Sequence, residues 1–143
     1  MTKHIGILNL GISFFSAANA LKDGSQYWPT YYLYGHAIEL GLKSFLHYKG
    51  MTDKELRKIG HNLTEAWSKC SDLGLLELIC DYQQFQECIF IMNDQYMEKG
   101  LEYHNNGNKR LPDFNQLNDA VQNVICSLDA YYRGDLAQKN NDM

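Results

Sequence analysis

Apolar residues recur every three or four positions along most of the chain, and no stretch shows the alternation of a half-buried strand. Glycine, proline and capping residues divide this pattern into segments. A first helix is predicted from about Thr2 to Lys22, stopped at Asp23-Gly24. Trp28-Pro29-Thr30 opens a second helix, which ends at Gly50. Thr52 and Glu55 form a capping box for a short helix from Asp53 to about Ile59. Gly60 breaks it, and Asn62 with Glu65 starts a helix over about Leu63 to Leu73, with Gly74 as its stop. Leu75, Ile79, Tyr82, Phe85, Ile89, Met92 and Tyr96 mark one face of a long helical run. Asn105-Asn106-Gly107-Asn108 reads as a loop. Pro112-Asp113 begins a last helix with Phe114, Leu117, Val121, Val124, Leu128 and Tyr131 on its buried face. Gly134 is expected to close it, leaving a frayed polar tail at about 135–143. The pattern predicts an all-α fold, one domain over 1–143: an antiparallel helical bundle of four main helices plus one short helix.

The second helix, "YYLYGHAIELGLKSFLHYKG", is apolar on nearly every side yet carries His36, Glu39, Lys43 and His47. At about 100° per residue, His36, Lys43 and His47 project within about 40° of one another, with Glu39 about 60° to one side. Leu33 and Leu40 border this stripe closely, which argues against a plain solvent face. Glu39 and Lys43 stand four apart in the favourable order for an ion pair. Three readings are open. The pair can be a helix-surface salt bridge, contributing about 0.3–0.5 kcal/mol, with both histidines at the rim. The stripe can line a groove or subunit interface, where imidazoles bind phosphate or move protons near neutral pH. A metal site is the third, since His36 and Glu39 share a face, but the chain has no Glu-x-x-His unit of the kind found in di-metal bundles; no metal and no cofactor are expected.

A second Gly-His pair occurs in "GHNLTEAW". His61 precedes a helix start with Asn62 as its cap, where exposed amides favour an anion or a neutral imidazole. The basic helix with Lys54, Arg57 and Lys58 leads into this corner, so a phosphate held there is reasonable physics; the plain alternative is a capping histidine beside solvated lysines. A third candidate is "YHNNGNKRLPDF", which puts Tyr103, His104, Lys109 and Arg110 on one loop, a combination suited to stacking and charge contacts with a nucleotide.

Charge sharpens this picture. The net charge is −4, so the molecule as a whole is no general polyanion binder, yet from Lys43 to His61 five cations face two anions. A local basic patch can therefore sit on an acidic molecule. With 45% hydrophobic residues and only two prolines, the composition is that of a folded domain. No run is long enough and apolar enough to span a bilayer, and no membrane association is expected. Ala18-Asn19-Ala20 resembles a signal-peptidase site, but the preceding segment has a polar side (Asn9, Ser13, Ser16, Lys22), so a mature first helix is expected. Cys70, Cys80, Cys88 and Cys126 form no CxxC pair and lie in helix-like stretches; they read as reduced, mostly buried thiols of a cytoplasmic protein.

The order of these pieces resembles the HEPN superfamily (higher eukaryotes and prokaryotes nucleotide-binding). The resemblance rests on "GHAIELGLKSFL", the basic short helix, "GHNL", and the "YH…KRLPDF" loop before a final helix, and covers roughly Tyr31 to Leu128. It implies an all-α bundle that forms a homodimer, binds RNA or a nucleotide, serves in toxin–antitoxin or phage-defence systems, and is often paired with a nucleotidyltransferase partner. In HEPN ribonucleases an Arg, followed four to six residues later by a His, performs metal-independent cleavage in the dimer cleft. Here Arg57 and His61 are separated by only "KIG", and neither Arg110 nor Arg133 precedes a His, so the strict motif is absent. Cleavage would then need His61 or His36 as acid and base, with Glu39 and Asn62 supporting them and Lys43, Arg57, Lys58, Lys109 and Arg110 contacting phosphate. The alternative is a non-catalytic helical interaction module, with the chain's ten tyrosines and six phenylalanines supplying an interface.

Overall fold

The computed structural model describes residues 2–97 and 111–141. Among them the chain is all-α, with no strand. The elements are α1 (Lys3–Leu21), α2 (Tyr27–Tyr48), α3 (Asp53–Ile59), α4 (Leu63–Asp72), a 3-10 turn (Leu75–Leu78), α5 (Tyr82–Met97) and α6 (Phe114–Asn141). Both expected caps form. The Thr52 hydroxyl accepts from the Glu55 amide at 3.2 Å while the Glu55 carboxylate accepts from the Thr52 amide at 3.2 Å, and the Asn62 side chain accepts from the Glu65 amide at 3.0 Å.

The greasy α2 is central. α1 lies along it, and α4, α5 and α6 pack on its other sides. Tyr31, Tyr34, Ala37, Ile38, Leu42, Phe45 and Leu46 are all buried, which is why the helix is apolar almost all round. Its buried polar groups are paired: Ser44 with the Tyr132 hydroxyl at 2.9 Å, and the Tyr34 hydroxyl with the Asn118 side-chain amide at 2.7 Å.

Several expectations need correction. The face from Leu75 to Tyr96 is not one helix. Ile79 is extended and Asp81 takes φ 55° before α5 begins, a region that Asp tolerates better than most side chains. The Cys80 carbonyl accepts from the Asn123 side chain at 2.6 Å, tying this break to α6. Leu75 and Ile79 stay buried regardless, because apolar spacing records which side chains are covered rather than helix continuity. Gly134 does not close the last helix, which continues to Asn141. A glycine inside a helix costs only about 1 kcal/mol against alanine, too little to stop one by itself. The thiols are evenly divided: Cys70 and Cys88 are buried, Cys80 and Cys126 exposed, all four free, and Cys80 lies in the break rather than in a helix. Burial pushes the Cys88 thiol up to about 11.

α1 also departs from expectation. By length and composition alone it is apolar enough to cross a membrane, contrary to the expectation that no run is, because its scattered polar side chains Asn9, Ser13 and Ser16 carry no charge and leave the mean hydropathy high. It lies against α2 with Gly11 close to Ala37, Leu40 and Gly41, but most of it stays outside the core, and Leu10 is 52% exposed.

The two helices should therefore respond differently to truncation. Leu42→Ala in α2 is expected to cost about 2–5 kcal/mol by urea denaturation, and Leu10→Ala in α1 less than about 0.5 kcal/mol. Equal costs would contradict the central placement of α2.

Candidate functional site

The polar stripe of α2 divides into two unlike parts. Glu39 is only 6% exposed, yet its carboxylate has three donors. Oε2 accepts from Lys43 Nζ at 2.9 Å, one helical turn along. Oε1 accepts from His61 Nδ1 at 2.7 Å and from the Tyr96 hydroxyl at 2.8 Å. His36 joins indirectly, its Nδ1 lying 2.5 Å from the Tyr96 hydroxyl and 3.9 Å from Glu39 Oε1. His47 belongs elsewhere. Its Nε2 faces Asp53 Oδ1 at 3.9 Å, and Asp53 also pairs with Lys3.

Burial alone would push the Glu39 carboxyl up. Hydrogen bonds from His61, Lys43 and Tyr96, with the Lys43 charge, outweigh that effect and hold it below the ordinary carboxylate value. Glu39 is thus an ionised carboxylate inside an apolar helix. Its charge is matched by Lys43, so each imidazole that takes up a proton adds net positive charge to the cluster.

Local sequence explains how the pieces arrive. Gly60 ends α3 with φ 59° and turns the chain so that His61 enters beside α2. The ring is 46% exposed, with Nδ1 bound to the buried carboxylate and Nε2 on the opposite side of the ring. Gly35 lets the Tyr96 ring lie against the α2 backbone, since a Cβ there would overlap the ring carbons. Phe14 meets His36 edge-on at 4.6 Å and Tyr32 lies at 5.2 Å from it, so aromatic rings border the cluster.

His36, Glu39, Lys43 and His61 therefore meet, without His47 from the stripe and without Arg57. The other candidates lie differently. Asn62 is the α4 cap and accepts from Glu65. The amides of Leu63 and Thr64 donate to Asn93 Oδ1 at 2.7 and 3.2 Å. These first-turn amides are thus already engaged, which removes the expected amide contribution to a phosphate site at that corner. Arg57 and Lys58 are exposed on α3. Arg57 acts electrostatically on Asp53, while Lys58 borders a shallow depression of about 240 Å³ with Glu55, Glu65 and Lys69, a mixed-charge surface. Lys109 and Arg110 lie outside the described residues, as does the rest of the Tyr103–Arg110 stretch. Among the described residues no group of three His, Cys, Asp or Glu is arranged to hold a metal.

Tyr96 was legible only as part of an apolar face, and Asn93 was not singled out at all. They stand three apart, and their one sequence signal is polar atoms on a buried stripe. Comparison with protein-family models, with curated proteins and with solved structures gave no match.

Removing the carboxylate charge should destabilise the fold in a pH-dependent way. Because Glu39 is held below its ordinary value, its ionisation adds stability that is present above about pH 4.5 and is lost as the pH falls through the folded value. Glu39→Gln is expected to lose about 1–3 kcal/mol at pH 7, the difference from wild type shrinking in denaturation series taken below pH 4.5. A pH-independent difference would contradict the ionised state.

Proposed function

We propose that this chain is a HEPN-like antiparallel helical bundle that binds RNA or a nucleotide at the Glu39 cluster, in the setting of a toxin–antitoxin or phage-defence system. The observation that carries the reading is the half-exposed His61 ring held by a buried, ionised glutamate. A carboxylate at one ring nitrogen orients an imidazole, leaving the other nitrogen to meet a ligand. When protonated, His61 and His36 supply positive charge that Glu39 and Lys43, cancelling each other, do not.

Binding is the core of the reading, and RNA cleavage is the further step that two imidazoles permit. One would take the proton of a ribose 2′-hydroxyl as that oxygen attacks the adjacent phosphorus, and the other would protonate the departing 5′-oxygen. The missing Arg-x4-6-His spacing separates this chain from the ribonuclease members of the superfamily, so His61 and His36, with Lys43 nearby, stand in place of that motif. The same reading expects a second copy of the chain across the site and a nucleotidyltransferase as partner.

A specific feature favours the alternative, a non-catalytic interaction module: on the apolar α1, Leu10 is half exposed and Ile5, Ile12, Phe14 and Phe15 are only partly covered.

A mixed RNA pool incubated with purified protein in EDTA, with binding measured in parallel at low salt, separates the two. On the first reading wild type binds RNA, His61→Ala weakens that binding, and any cleavage falls at least about 100-fold in His61→Ala or His36→Ala. Absence of both binding and cleavage by folded wild type would overturn it. Equal activity in all three proteins would mark a contaminating nuclease and equally remove the support for this site.

A further inference from the structure

A count of protons along the hydrogen-bonded chain goes beyond which residues meet. Tyr96 has one hydroxyl proton. It donates that proton to Glu39 Oε1, which is ionised and can only accept. The same hydroxyl oxygen lies 2.5 Å from His36 Nδ1. With its proton committed to Glu39, the oxygen can only accept there, so His36 Nδ1 must carry the hydrogen. His61 Nδ1, 2.7 Å from the carboxylate, must carry one for the same reason. The chain reads His36 Nδ1–H to Tyr96, Tyr96 O–H to Glu39, and His61 Nδ1–H to Glu39. In both neutral rings Nε2 is then the unprotonated nitrogen.

We infer that Tyr96 is a positioning residue for the histidine pair, extending the reach of the buried Glu39 carboxylate to His36 and fixing that ring in the same Nδ1–H tautomer as His61. Direct contact cannot do this, because His36 Nδ1 stands 3.9 Å from Glu39, beyond hydrogen-bond range. The hydroxyl bridges the gap. Gly35 makes the bridge sterically possible by admitting the ring against α2, and the burial of Tyr96 keeps water from replacing it. The consequence for function rests on the RNA-binding reading above: with the ring centres 6.3 Å apart, a ring with unprotonated Nε2 would act as base, and the other, only after taking up a proton at Nε2, as acid on the same phosphodiester.

The test reads tautomers directly and needs no RNA. Nitrogen-15 spectra of the histidine rings in the intact protein, taken well above the ordinary imidazole value of about 6.5, should show His36 and His61 both as Nδ1–H. Unconstrained imidazole favours Nε2–H. Tyr96→Phe removes only the hydroxyl and leaves the ring against Gly35. In that variant the Nδ1–H fraction at His36 should fall while His61, still bound to Glu39, stays Nδ1–H. His36 found as Nε2–H in wild type would overturn the inference, whether or not the variant folds. Retention of Nδ1–H at His36 in folded Tyr96→Phe would also overturn it. If the tautomers are as stated and RNA is neither bound nor cleaved, the positioning role stands and the RNA reading falls. If RNA binding depends on His61 but the tautomers differ, the reverse holds.

Discussion

Keeping the Glu39 carboxylate ionised inside the central helix is the constraint on which the candidate site depends. A buried charge without partners costs several kcal/mol, and a protein normally avoids that by neutralising the group or pairing it. Here the pairing is complete and comes from three parts of the chain. Lys43 lies one turn further along α2, His61 sits in the turn between α3 and α4, and Tyr96 comes from α5. The carboxylate therefore fastens these elements to α2. An imidazole in contact with solvent is thereby connected to the core of the domain, and a site of this kind is more rigid than one carried on a free loop.

The supporting features serve that arrangement. Gly60 turns the chain before His61, and Asn93 takes the first amides of α4 so that the turn carrying the histidine is held from the far side as well. Gly35 leaves the space that Tyr96 occupies. Two Gly-His pairs stand far apart in sequence, but their glycines do different work: one admits a neighbouring ring and the other ends a helix. The histidines nevertheless come within 6.3 Å of each other between ring centres.

Much of this was legible in the sequence. The helical period and the capping patterns located the six α-helices, though not the break before α5 or the end of α6, and the stripe on the second helix named three of the five clustered side chains, with His61 added by the second Gly-His pair. What was not legible has physical causes. A helical wheel places His47 beside His36 and Lys43, but it discards distance along the axis. His47 stands eight residues from Glu39, about 12 Å along the helix, where Asp53 is its partner. Tyr96 looked like one more apolar position because a tyrosine ring packs as a hydrophobe while its hydroxyl makes a polar contact. The engagement of the α4 amides by Asn93 is a contact across thirty residues that no local pattern announces. The resemblance to HEPN proteins supplied the RNA hypothesis, and its missing Arg spacing is the reason that binding rather than cleavage stands at the centre of the proposal.

The most direct measurement is a carbon-13 titration of the Glu39 side-chain carboxyl, resolved from the exposed glutamates by comparison with Glu39→Gln. A midpoint below the ordinary glutamate value of about 4.3, accompanied by a response at His61, is the predicted result. A midpoint above that value would mean that the carboxyl is neutral when buried. The donors around it would then not be holding a charge, and the central claim about this site would be wrong.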